Sequence, residues 1–140
     1  MIYFTKLYDR AIEPKRAYQT DSGLDLHCLE DFTLQISERK LIKIGIAIAL
    51  PVGYEAQIRS RSGLALKYGV IVLNGIGTID QQYRGEIGVI LANLGHESVS
   101  FKAGDKIAQM VISKVELCDL IEKDALDNTE RGAGGFGSTG

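Results

Sequence analysis

The sequence predicts an all-β domain, a jelly-roll-like barrel or sandwich with one short helix, and three observations predict it. Apolar residues alternate with a period of two through residues 42–50, the spacing that turns one face of a strand toward a core. Similar short runs recur along the chain with turn residues between them. No segment has the pattern of a long helix, and spaced short strands without long helices form sandwiches and jelly rolls.

Taken in order, residues 2–8 and 32–36 form the first two predicted strands. In residues 42–50, Ile42, Ile44, Ile46, Ile48 and Leu50 share one face while Lys43, Gly45, Ala47 and Ala49 share the other, so one half-buried strand is expected. Residues 54–59 are the next strand. The single helix is expected at 63–68, where Leu64, Ala65, Leu66 and Lys67 are good helix formers behind a Ser62 that can cap. The apolar runs 70–73 and 87–91 flank a Gly-rich hairpin, and strands at 99–101 and 107–115 complete the set. The domain is expected to span residues 1–126, with 127–140 as a mobile Gly-rich arm.

With 140 residues and 45% hydrophobic content the chain forms one domain able to bury a core. A net charge of -2 gives no basic field for a polyanion, which argues against a nucleic-acid polymer as partner. Cys28 and Cys118 are far apart and in no C-x-x-C pattern, so buried reduced thiols and a cytoplasmic setting are expected. His27 and His96 are not at metal-ligand spacing with them and are read as surface or packing residues. The longest apolar run is broken by Lys43, Gly45 and Pro51, so no membrane span is expected.

Five segments carry candidate chemistry. In Leu73-Asn74-Gly75-Ile76-Gly77-Thr78-Ile79-Asp80-Gln81-Gln82-Tyr83-Arg84-Gly85-Glu86, glycines let backbone approach a small ligand, and Asp80 sits at a strand end facing it. Taken alone, this is equally a Gly-rich hairpin with a solvated Asp and a surface Tyr. In Arg59-Ser60-Arg61-Ser62-Gly63, an Arg, a hydroxyl and a Gly N–H converge where a helix begins, an arrangement that attracts phosphate. Gly104-Asp105-Lys106-Ile107-Ala108-Gln109 is a turn entering a strand that carries Gln109 into the domain. In Asp21-Ser22-Gly23-Leu24-Asp25-Leu26, Asp25 could hold a hydrated cation, or both carboxylates could bond turn amides.

The tail Arg131-Gly132-Ala133-Gly134-Gly135-Phe136-Gly137-Ser138-Thr139-Gly140 contains a formal G-x-G-x-x-G, but the strand and helix that a dinucleotide fold places around it are lacking. Such a terminus is usually flexible. Yet Arg131 is a fixed cation, Phe136 a stacking face, Ser138 and Thr139 are donors, and the glycines open N–H groups that can form an anion nest.

In this order the five segments resemble the motifs of the trimeric dUTPase family, the deoxyuridine triphosphate nucleotidohydrolases, over nearly the whole chain. Lys106 stands where an Arg is common, and Gly75-Ile76 replaces a small-residue-Pro pair. The resemblance implies a jelly-roll subunit in a homotrimer whose sites are each built from three chains. It implies that dUTP is hydrolysed to dUMP and pyrophosphate, clearing dUTP and supplying dUMP for thymidylate synthesis. Asn74 and the backbone around Thr78 and Ile79 would bind the uracil edge, with Tyr83 under the sugar. Arg61, Ser62, Gly63 and Gln109 would hold phosphates, and Mg2+ would bridge the triphosphate with Asp25 touching its water shell. Asp80 would deprotonate a water attacking the α phosphorus. The tail of a third chain would close with Phe136 on the base and Arg131, Gly137, Ser138 and Thr139 at the phosphates.

Three other readings are weaker. A dCTP deaminase on the same fold needs a carboxylate placed to handle protons at the exocyclic amine, which nothing in the sequence supplies: the hairpin reads like the uracil type, and the deaminases lack this tail pattern. A nucleotide sensor has no use for Asp80 beside Tyr83, and a purely structural jelly roll leaves Arg61, Gln109 and Arg131 unexplained.

Overall fold

A computed structural model describes residues 1–138 as a β structure with one helix. The elements are β1 (Tyr3–Lys6), β2 (Gly23–His27), β3 (Phe32–Leu34), β4 (Arg39–Lys43), β5 (Ile46–Ala49), β6 (Tyr54–Arg59), α1 (Ser62–Tyr68), β7 (Val70–Val72), β8 (Ile76–Ile79), β9 (Gly88–Asn93), β10 (Val99–Phe101) and β11 (Lys106–Lys114). All the pairings are antiparallel. The largest sheet runs β2-β11-β6-β8, a second runs β4-β9-β7, and β1-β5 and β10-β3 form two-stranded sheets. Their inner faces meet in one core that includes Leu26, Leu34, Ile46, Ile58, Ile87, Leu91 and Ile107. Among the described residues no helix is long and apolar enough to cross a membrane.

The alternation through residues 42–50 forms two strands, not one. The chain kinks at Gly45, whose φ of 73° is the left-handed region, and its N–H donates to Glu86 Oε1 at 3.1 Å. β4 then pairs with β9 while β5 pairs with β1, and Ala47, expected on the open face, is buried.

Two strands were not expected. β2 pairs with β11 and buries Leu26, and β8 leaves the hairpin to pair with β6. Ser62 does not cap α1. It is the first helical residue, Arg61 holds the cap position without a side-chain hydrogen bond, and Gly69 ends the helix at φ 67°. Cys28 is buried as expected, with Sγ donating to the Lys102 carbonyl at 3.0 Å, whereas Cys118 is exposed because the chain beyond β11 lies outside the core. Burial raises the Cys28 thiol above the ordinary cysteine value.

Candidate functional site

The hairpin after β7 separates two sheets. Gly75, at φ 73°, turns the chain, and the Ile76 N–H donates to the Asn74 carbonyl at 2.8 Å. β7 belongs with β9, but β8 crosses to the edge of β6, so a slot opens between β8 and β9. The slot has a volume of about 90 Å³ and is lined by Asn74, Gly77, Thr78 and Ile79 against Ile58 and Ile90. A Cβ on Gly77 would come within 3.1 Å of Ile58 Cβ, so a small residue keeps β8 close to β6. The slot is continuous through Thr78, Ile79 and Ile90 with a cleft of about 290 Å³ that Asp80, Tyr83 and Glu86 complete.

Asp80 follows the last residue of β8, and its side chain is exposed at the cleft mouth. A turn holds Tyr83 beside it: the Tyr83 N–H donates to the Asp80 carbonyl at 3.0 Å, and its hydroxyl donates to the Glu86 carbonyl at 2.9 Å. Asn74, Thr78, Ile79, Asp80 and Tyr83 are thus brought together, a concave apolar slot with a few polar groups at its rim.

A second cluster lies across the same sheet. Gln109 on β11 is opposite Asp25 on β2 and Arg59 on β6, so these side chains occupy one row. Gln109 Nε2 donates to the Ser60 carbonyl at 2.9 Å, and Ser60 Oγ accepts from the Val72 N–H at 2.8 Å. Arg61 Nη1 donates to the Lys106 carbonyl at 3.0 Å. Asp25 takes two cations, Lys106 Nζ at 2.6 Å and Arg61 Nε at 3.7 Å. Ser62 and Gly63 lie exposed at the start of α1. Asp21, by contrast, accepts from the Tyr18 N–H, the turn-bonding role foreseen for it.

His27 borders this cluster, and its Nδ1 is buried without a partner. Burial lowers its pKa, the Asp25 carboxylate opposes that, and Lys106 and Arg61 reinforce it. The ring therefore belongs to the site's surroundings, which sequence reasoning missed. Lys106 was noticed only as a departure from Arg, and its pairing with Asp25 had no local signal. A broad groove of about 1010 Å³ runs from Arg61 and Lys106 along α1 to residues 94–101, away from the slot.

Asp80 and Arg61 stand at opposite ends of β6, while the slot runs between them along β8. Ile79, next to Asp80, pairs with Ala56, and Ile76 pairs with Arg59, two residues before Arg61. At about 3.3 Å per residue, the path from Ala56 to Arg61 spans roughly 16 Å. Among the described residues the tail forms no hydrogen bond to either cluster. Arg131, Gly137 and Ser138 are exposed, Phe136 presents its whole ring, and Arg131 Nε donates to the Gly134 carbonyl at 3.0 Å. Thr139 lies outside the described residues.

The donor set suits a metal ion only in combination with a ligand. No group of three or more His, Cys, Asp or Glu converges among the described residues, and Asp25 already faces two cations. Mg2+ usually takes one or two carboxylates together with substrate phosphates and retained waters. One Asp carboxylate beside two cations fits that type of site once an anionic ligand is bound.

The dUTPase family model matches residues 9–140. The chain is 54% identical over 141 residues to the deoxyuridine 5'-triphosphate nucleotidohydrolase of Wolinella succinogenes, covering 99% of this chain and 93% of that protein. Among solved structures it is similar to the dUTPase of Staphylococcus bacteriophage 80alpha with dUPNHPP, at TM-score 0.94 and 27% identity, covering 100% of this chain and 98% of that one. A mutant dUTPase of S. aureus phage phi11, described with a structural Mg(II) ion, shares the fold at TM-score 0.84 and 24% identity, over 91% and 99% of the two chains.

Proposed function

The chain belongs to the dUTPase family, and on that premise we propose that it is a dUTP diphosphatase whose site is shared among the subunits of a cytoplasmic homotrimer. The observation that carries the reading is an exposed carboxylate, Asp80, at the mouth of a narrow slot with an aromatic ring beside it. The slot between β8 and β9 suits a flat pyrimidine. Asn74 and the backbone from Gly75 to Ile79 would read the uracil edge, and backbone against C5 leaves no space for a thymine methyl. Tyr83 would lie under the sugar, where its ring excludes a 2'-hydroxyl, while Asp80 accepts from the 3'-hydroxyl.

The separation of Asp80 from Arg61 along β6 supports assembly from more than one chain, since one subunit places the carboxylate at one end of the strand and anion-binding groups at the other. Arg61, Ser62, Gly63 and Gln109 of a neighbour would hold the triphosphate. Bound Mg2+ would neutralise phosphate charge and favour loss of pyrophosphate, with Asp25 accepting hydrogen bonds from its waters. Asp80 takes a proton from a water whose oxygen bonds to the α phosphorus. The bond from that phosphorus to the bridging oxygen breaks, and its electron pair leaves with pyrophosphate, giving dUMP. The arm, residues 127–140, would close from a third chain, Phe136 stacking on the base and Arg131, Gly137, Ser138 and Thr139 meeting the phosphates. The exposed Gly132 and Gly137 and the unburied Phe136 ring support a segment with a partner elsewhere.

Pyrophosphate release from dUTP, dTTP, dCTP and UTP, with and without Mg2+, tests this reading. Turnover is expected for dUTP with Mg2+ and to be far weaker for the rest. Comparable kcat/KM for dTTP or UTP would overturn it.

A further inference from the structure

We infer that Gly85 and the Glu86 carbonyl are positioning groups that hold the Tyr83 ring in place and so set the preference for deoxyribose over ribose. The inference rests on the proposal that Tyr83 lies under the sugar. It starts from a packing constraint: a Cβ built on Gly85 would fall 2.5 Å from Tyr83 Cζ, 3.0 Å from Cε2 and nearer still to the hydroxyl oxygen. All three atoms belong to one rigid phenol, so the clash is relieved only by moving the whole ring. Gly85 is not among the positive-φ glycines, so an Ala suits its backbone, and space alone excludes the side chain.

The ring is held from two further directions. Its backbone is fixed by the bond to the Asp80 carbonyl, and its hydroxyl by the bond to the Glu86 carbonyl. Glu86 is itself tied to the barrel, with Oε1 accepting from the Gly45 N–H at the β4–β5 kink and Oε2 lying 3.5 Å from Lys43 Nζ. An exposed ring would ordinarily sample several rotamers. Here the absent side chain at residue 85 lets the ring fold back, and the anchored carbonyl keeps it there. A side chain at 85 must displace the phenol from the cleft it shares with Thr78, Ile79 and Ile90.

The test is the ratio of kcat/KM for dUTP over UTP, read as pyrophosphate release, in the unmodified protein, Gly85→Ala, Tyr83→Phe, Tyr83→Ala and the double variant Gly85→Ala/Tyr83→Ala. Steric discrimination of one small group is worth about 10- to 200-fold, and Gly85→Ala is expected to reduce the ratio by a factor in that range. Tyr83→Phe, which keeps the ring and loses the Glu86 bond, should reduce it less. In the Tyr83→Ala background Gly85→Ala should change nothing further, because there is no ring left to displace. That background also removes the clash, so the comparison survives if the single Gly85 variant folds poorly. An unchanged ratio in both Gly85→Ala and Tyr83→Phe overturns the inference, as does an equal loss on adding Gly85→Ala to Tyr83→Ala. If Tyr83→Ala itself keeps the full ratio, the sugar placement falls first and the inference with it.

Discussion

Asp25 Oδ2 lies 2.6 Å from the Lys106 ammonium, while its other oxygen faces Arg61 Nε at 3.7 Å, so one carboxylate balances two cations beside Gln109. With one more cation than carboxylate, this arrangement favours an incoming anion and disfavours a bare metal ion. Asp25→Asn removes the balancing charge. Loss of a group that orients metal-bound water typically costs about 10- to 100-fold in metal affinity, and the half-saturating Mg2+ concentration for dUTP turnover is expected to rise by that order. The pairs are partly solvent-exposed, so thermal stability should change little. An unchanged Mg2+ requirement would remove Asp25 from the metal site.

Asp80→Asn keeps size and hydrogen-bonding capacity but cannot take a proton from water. General-base catalysis is typically worth about 10²- to 10⁴-fold, and kcat should fall by that factor while dUTP binding persists. Calorimetric binding beside single-turnover kinetics separates the two effects. Near-normal turnover would mean that the water is activated elsewhere.

The sequence made local relationships legible and left distant ones hidden. Asp80 and Tyr83 could be paired because one turn joins them, and the apolar period identified most strands. The break at Gly45 was invisible because the period runs unbroken across it, and the kink is fixed by Glu86, remote in sequence. β8 looked like hairpin loop because its partner is β6 and not its neighbour β7. β2 was masked by Asp21, Ser22 and Gly23, which favour turns, although Leu24 and Leu26 carry the strand period. Ser62 failed as a cap because the helix starts one residue earlier than propensity alone suggested. The pairing of Asp25 with Lys106 arises only where β2 meets β11, which no spacing announces.

Deleting residues 131–140 removes a segment whose described residues lie outside the core, so the unfolding temperature should hardly move while kcat/KM for dUTP falls steeply. Phe136→Ala should reproduce part of the loss, because stacking on one base is worth roughly 1–3 kcal/mol. Paired thermal melts and kinetics decide the matter. Intact kcat/KM after truncation would return the arm to an ordinary flexible terminus.

Complementation between inactive chains tests the shared site most directly. Asp80 and Arg61 stand at opposite ends of β6, and the arm touches neither cluster through its hydrogen bonds among the described residues. Chains with Asp80→Asn and an intact arm should be inactive alone, as should chains lacking residues 131–140 with Asp80 intact. If each site draws Asp80 and the arm from different subunits, mixing creates sites with a good copy of both. With random equal mixing in a closed three-fold ring, about one site in four qualifies, a half times a half. Co-refolding the two variants should therefore restore roughly a quarter of the unmodified activity per site, with subunit exchange verified by native mass spectrometry. Complete exchange without recovered dUTP hydrolysis would show that Asp80 and the arm serve a site from the same chain.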